Sequence, residues 1–133
     1  TLVKEKNPII KVIGIQAELA SCMALSFKAG RPIDTKSCAT FAGGMAVRVA
    51  IPEAVDLLLD VVDEMLLVSE DEMKRAMVLY YRCTQEIVEG AGAASLAAAL
   101  RYPEKMKNQA ICLIATGANV DPQLKQEIFG HLD

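Results

Sequence analysis

The stretch MLLVSEDEMKRAMVLY, Met65 to Tyr80, decides the fold. Met65 to Val68 is a short apolar run that reads as a strand. Ser69-Glu70-Asp71-Glu72 follows at once and has the form of a capping box, in which the Ser69 hydroxyl accepts from the Glu72 amide and the Glu72 carboxylate reaches back to the Ser69 amide. The helix so started carries Met73, Ala76, Met77 and Tyr80 on one face, and sets Glu70, Asp71 and Glu72 at the positive end of its dipole. Those acids read as structural groups, not catalytic ones. A strand that runs straight into a capped amphipathic helix is the repeating unit of an α/β fold.

Working back toward the N-terminus, Pro52 stands at a first helical position, with Val55, Leu58, Leu59 and Val62 spaced for a core-facing helix. Thr35 to Val49 is ambiguous, because Ala42-Gly43-Gly44 breaks any periodicity and a loop passing close to something fits as well as a strand. Leu19 to Ala29 reads as a helix stopped by Gly30-Arg31-Pro32. Before it, Pro8 ends a helical tail over Lys4 to Asn7, and the β-branched run Ile9 to Ile15 reads as a buried strand.

Working forward, Glu89-Gly90-Ala91-Gly92 leads into Ala93 to Leu100, a run of high helix propensity and little bulk that should pack closely on a neighbour. Tyr102-Pro103 ends it. Ala110 to Ala115 reads as a last strand, opening into Thr116-Gly117-Ala118-Asn119, and a short helix begins near Pro122. The expected architecture is one α/β domain over residues 1–133, with a mainly parallel sheet of about four strands flanked by helices.

Composition agrees. A chain of 133 residues with 53% hydrophobic residues can bury a core, and its Ala, Val, Leu and Ile with no Trp suit covered strands better than a sandwich. The net charge of -3, with Lys and Arg dispersed among acids, offers no basic stripe and argues against nucleic acid as a partner. Apolar runs such as Ile111 to Ala115 are far too short to span a membrane, so the chain is expected to be soluble. The four cysteines form no CxxC pair and the one histidine is His131, which supports neither a zinc site nor a disulfide framework. Cys83 and Cys112 are expected to be buried thiols, in keeping with a reducing cytoplasm, and Thr1 to Asn7 lacks the apolar core of a signal peptide.

Chemistry in a parallel sheet gathers at the carboxyl ends of strands. Thr116 is expected at such an end, where its hydroxyl could meet a flat heteroatom ligand or could simply cap the next helix. Glu89 to Ala93 could bring backbone close to a ligand at a helix N-terminus, or could only allow tight packing.

Five stretches in order carry a family resemblance: VIGIQAE (Val12 to Glu18), TFAGGMAV (Thr40 to Val47), LLVSEDEM (Leu66 to Met73), IVEGAGAASLAA (Ile87 to Ala98) and IATGANVD (Ile114 to Asp121). With them the chain resembles the pyridoxal-phosphate-dependent threonine and serine dehydratases, of the tryptophan synthase beta-like fold, with serine racemase as a near relative. The resemblance implies pyridoxal phosphate as cofactor, an amino-acid substrate, and loss of water then ammonia to give a 2-oxo acid. It implies a cofactor-binding role for Thr116, at the pyridine nitrogen, for Glu89, beside the cofactor, and for Gly44, in the pocket-lining loop.

Three departures qualify it. The family's lysine that holds the cofactor, and its glycine-rich phosphate loop, precede VIGIQAE in family order, and nothing in Thr1 to Ile10 matches either. Ser26-Phe27-Lys28 copies the residues around that lysine but follows VIGIQAE, so Lys28 reads as a surface lysine and no residue here is assigned a catalytic role. Where racemase-like members bind a divalent cation, the matching positions are Gln16, Ala20 and Cys22, a poor set for a hard cation, so no metal site is expected. Gly43 also replaces an acid common in the pocket loop, which leaves substrate preference open. The expectation is therefore the later, truncated portion of a dehydratase catalytic region, inactive by itself and part of a homo-oligomer. The competing readings are a non-catalytic remnant that pairs with another chain and an anion-binding domain built on the Gly92 helix start.

Overall fold

The computed structural model describes residues 2–130; Thr1 and the one histidine, His131, lie outside the described residues. The elements run α1 (Leu2–Lys6), β1 (Ile13–Ala17), a 3₁₀ turn (Glu18–Ala20), α2 (Cys22–Ala29), a second 3₁₀ turn (Gly43–Met45), α3 (Pro52–Val61), β2 (Glu64–Val68), α4 (Glu70–Thr84), α5 (Gly90–Arg101), α6 (Pro103–Met106) and α7 (Pro122–Phe129).

Strands β1 and β2 pair in parallel, from Ile13 opposite Glu64 to Ala17 opposite Val68, and the chain crosses between them through α2 and α3. The fold is α/β, but the described residues contain a sheet of two strands where about four were expected. Neither Ala110 to Ala115 nor the ambiguous Thr35 to Val49 forms a strand, and the first strand is shorter than expected. Ile9 and Ile10 are 85% and 46% exposed and stay outside β1, because β2 offers ladder partners only to Ile13–Ala17. Ala110 to Ala115 forms no strand: Ile111 and Ile114 are exposed, and the Ile114 carbonyl accepts its hydrogen bond from the Ser95 hydroxyl at 3.0 Å. High β propensity makes a strand only where a neighbouring backbone can complete the ladder.

Helix α4 begins as its sequence dictates. Ser69 N–H donates to the Glu72 carboxylate at 2.7 Å and Glu72 N–H donates to Ser69 Oγ at 3.3 Å. Met73, Ala76 and Met77 are fully buried and Tyr80 partly so. They pack on Ala93, Ala94, Ala97 and Ala98 of α5, whose small side chains let the two helices close over Ala17 and Val68 of the sheet. Tyr102 donates its hydroxyl to the Leu67 carbonyl at 3.0 Å, and Arg101 pairs with Glu18 at 2.5 Å and Glu72 at 2.9 Å, fastening the far end of α5.

A smaller cluster joins Cys22, Ala50 and Val55. On α3, Val55 is buried but Leu59 is 38% exposed, contrary to its expected inward position, while Leu58 and Val62 are half-buried. The helix read from Leu19 starts at Cys22, after the 3₁₀ turn. The ambiguous segment Thr35 to Val49 is irregular chain around its 3₁₀ turn. Among the described residues no helix is long and apolar enough to cross a membrane. All four cysteines are free thiols, but Cys83 and Cys112 are exposed, correcting the expectation of burial. Cys83 lies on the last turn of α4 and Cys112 in the segment that finds no ladder partner.

Candidate functional site

The start of α5 is a joint between two other segments. Gly90 faces the Phe41 ring so closely that a Cβ there would lie 2.3 Å from Phe41 Cε2. Gly92 faces the turn after Ala115, and a Cβ there would lie 1.7 Å from the Thr116 carbonyl oxygen. Only glycine permits both approaches. Glu89 N–H donates to the Gly117 carbonyl at 3.0 Å, and Gly117 itself takes the left-handed conformation at φ +68° against the Glu89 side chain.

The loop carrying Phe41 is held from a third side. Phe41 N–H donates to Glu70 Oε2 at 3.0 Å, and the Lys74 ammonium lies 5.7 Å from the centre of the Phe41 ring. Glu70, read from the sequence as a helix-start acid, thus also anchors a loop 29 residues away. Its other oxygen is buried without a hydrogen-bond partner among the described residues.

Between these segments opens a cleft of about 350 Å³, lined by Gly44 and Glu89 together with Phe41, Ala91, Asn119 and Asp121. Two of the three anticipated site residues, Gly44 and Glu89, therefore share one lining; a Cβ on Gly44 would sit 3.0 Å from Ala91 Cβ and 3.7 Å from Glu89 Oε1. Thr116 is not in that lining. It is exposed beside Gly92, and its hydroxyl has no hydrogen-bond partner among the described residues. Nor does it cap a helix: Asp121 caps α7, accepting from Gln123 N–H at 2.9 Å and Leu124 N–H at 3.3 Å. Asn119 closes the Thr116 turn read from the sequence as a candidate site, whereas Asp121 was not singled out, although both lie inside the IATGANVD stretch.

Elsewhere the sequence candidates take ordinary structural places. Lys28 is exposed at the end of α2. Gln16 is buried, and its Oε1 accepts from Ala24 N–H at 2.9 Å. Burial pushes the Cys22 thiol above its ordinary pKa, and the Asp34 carboxylate pushes the same way. Among the described residues no group of three His, Cys, Asp or Glu side chains could hold a metal ion.

The pyridoxal-phosphate dependent enzyme family matches residues 1–117. This chain belongs to that family. It is 32% identical over 133 residues to the catabolic L-threonine dehydratase TdcB of Escherichia coli K12, covering 98% of this chain and 40% of that protein. It is likewise 32% identical to the L-threonine ammonia-lyase of Thermotoga maritima, over 96% of this chain and 31% of the relative. The processed form of threonine deaminase isoform 2 from Solanum lycopersicum superposes with a TM-score of 0.87 at 32% identity, over 96% of this chain and 38% of that one. Maize serine racemase superposes with a TM-score of 0.82 at 30% identity, over 98% and 42%. The chain thus spans about 40% of the length of the first of these relatives.

The cleft suits one part of the family's cofactor. Its walls are backbone and small side chains at Ala42, Gly43, Gly44, Gly90 and Ala91, which a flat ring can approach closely. Its charged lining is acidic, Glu89 and Asp121, which disfavours a phosphate group and favours the ring end.

Proposed function

We propose that this chain supplies the ring-side wall of the pyridoxal phosphate site of a threonine or serine ammonia-lyase, acting on a small hydroxy amino acid. The observation that carries the reading is the α5 joint, where Gly90 and Gly92 clamp the Gly44 loop and the Thr116 turn around Glu89. When bound, pyridoxal phosphate supplies the electron sink for loss of a β-hydroxyl and then of ammonia.

The chain's own residues bind and orient. Gly44 leaves the wall open where any side chain would narrow it, and Glu89 presents a carboxylate to the same space. The free hydroxyl of Thr116 is suited to the ring nitrogen, which a neutral hydroxyl can hold without supplying a permanent proton. The cleft lining contains no lysine, and covalent catalysis in this family requires an amine to hold the cofactor. By itself the chain is therefore expected not to catalyse elimination, and it serves as one module, residues 1–133, of a larger catalytic region.

Four free thiols suit a reducing cytoplasm. Exposed apolar side chains on the helices, Leu57, Leu79 and Leu100 among them, favour association with a second copy of the chain.

The test is a titration of the isotopically labelled chain with pyridoxal phosphate, followed by amide chemical shifts, and then borohydride reduction with peptide mapping. Shifts centred on Gly44, Glu89 and Thr116 with no unique reduced lysine are expected. A single stoichiometric adduct on Lys28, or shifts confined to other surfaces, overturns the assignment.

A further inference from the structure

Helices α3 and α4 carry matching outward stripes of opposite charge. At about 100° per residue, the side of α3 opposite buried Val55 presents Leu57 between Glu53, Asp56 and Asp60. Leu57 is 53% exposed, and the three acids are exposed. On α4 the side opposite Met73 and Met77 presents Val78 and Leu79 between Arg75 and Arg82. Each stripe has the same i, i+3, i+4, i+7 spacing: Glu53, Asp56, Leu57, Asp60 on one helix and Arg75, Val78, Leu79, Arg82 on the other.

The α4 stripe forms one wall of a groove of about 520 Å³, closed by Leu100 of α5 and Ile128 of α7. Lys74 and Glu127, on its rim, neutralise each other at 2.7 Å, which leaves Arg75 and Arg82 to set the groove's charge. Among the described residues neither arginine is in a salt bridge, and neither is any of the three α3 acids.

We propose that the acidic face of α3 docks in the basic apolar groove of α4, α5 and α7 on a second copy of this chain. Leu57 would fill the space between Leu79, Leu100 and Ile128, while Asp56 and Asp60 meet Arg75 and Arg82. A helix laid in an apolar groove and read through i, i+3, i+4, i+7 anchors is a common recognition mode, and opposite charges on the rims fix partner and register. The two patches are different surfaces, so the contact is heterologous: each copy offers one of each. This inference builds on the self-association part of the functional reading and is independent of cofactor binding.

The experiment uses sedimentation velocity of the 133-residue chain over a range of concentrations, with circular dichroism to confirm that every variant is folded. The unaltered chain should associate, and more weakly as salt is raised. The pair Asp56→Lys with Asp60→Lys, and separately the pair Arg75→Glu with Arg82→Glu, should each raise the dissociation constant by at least about tenfold, since like charges then face each other. Mixing the two variant chains should restore association, because the basic α3 of one meets the acidic groove of the other. If the unaltered chain stays monomeric at all concentrations, both the surface and the self-association reading fall. If it associates but the folded variants associate equally well, or their mixture gains nothing, this surface is wrong while self-association stands. Amide protection of residues 53–60 and 75–82 that does not change with concentration would assign both faces to some other cover and also overturn the proposal.

Discussion

Replacing Gly92 with alanine tests the α5 joint directly. The added Cβ would lie 1.7 Å from the Thr116 oxygen and 2.7 Å from its carbonyl carbon, and since both are backbone atoms no rotamer change can relieve the overlap. Either the start of α5 or the 116–119 turn must move. Two hydrogen bonds resist that movement, Glu89 N–H to the Gly117 carbonyl and the Ser95 hydroxyl to the Ile114 carbonyl, each 3.0 Å long. Overpacking in such a place costs about 1–3 kcal/mol. From the middle of that range, about 2 kcal/mol, alanine recovers up to ~1 kcal/mol through helix propensity, so the expected net loss is about 1–2 kcal/mol. With a urea m-value of ~1.5 kcal/mol/M the unfolding midpoint should fall by about 1 M. Gly43→Ala is the control, because a Cβ there meets nothing within 4 Å. Hydrogen exchange supplies a second readout, since the Glu89 amide should lose protection as its bond to Gly117 loosens. A Gly92→Ala chain as stable as Gly43→Ala, with the Glu89 amide unchanged, would refute the claim that this glycine joins α5 to the Thr116 turn.

Other measurements bear on separate parts of the structure. A thiol-disulfide reagent should label Cys83 and Cys112 fast and Cys22 only on unfolding; rapid labelling of Cys22 in the folded chain would contradict its burial behind the bond from its thiol to the Ile33 carbonyl. Glu70→Ala should free the Phe41 amide, raising its exchange about fivefold, the equivalent of about 1 kcal/mol, and unchanged exchange would remove Glu70 as the loop's anchor. Burial tends to raise the Glu72 carboxyl pKa, but hydrogen bonds from Ser69 and Arg101 outweigh it and hold the group below its ordinary value. Its stabilisation is therefore complete above the unfolded pKa of ~4.3 and lost as pH falls through the lower folded value. Asp63, lowered by the Lys4 hydrogen bond and then by Val12 N–H, acts with the same sign. The unfolding midpoint should drop from pH 6 to pH 3, and less steeply in Glu72→Gln; equal slopes would mean that the capping box does not couple to stability.

Much of this was readable in the residues because the signal was local. The Ser69 to Glu72 box, the Pro52 and Pro122 helix starts and the inward face of Met73, Ala76 and Met77 each depend on neighbours within about a turn, and each appears in the structure. What depended on distant chain was not readable. Ala110 to Ala115 has the composition of a strand, but a ladder is a property of two segments, and no composition discloses whether a second is at hand. Helix α4 ends on Gln85 in the left-handed conformation, at φ 62°, a place where sequence rules look for glycine. Glu70 shows the same limit from the other side: its position announces a helix start, while its bond to Phe41 crosses 29 residues.

At the start of α5, packing and ligand approach are not rival explanations of the glycines. Gly90 and Gly92 are packing glycines by geometry, each pressed against a different segment. Yet the segments they admit are the loop that ends in Gly44 and the turn that begins at Thr116, with Glu89 between. Close packing at those two positions is thus the means by which Gly44 and Glu89 come to share one cleft lining, with the Thr116 turn held beside it. It follows that substitution at Gly90 or Gly92 should disturb a ligand bound there without either residue touching it, whereas substitution at Gly44 acts on the cleft wall itself. Size should separate the two classes: alanine suffices at Gly92, where backbone blocks any adjustment, while the 3.0 Å approach of a Gly44 Cβ to Ala91 leaves room for a shift of a few tenths of an ångström.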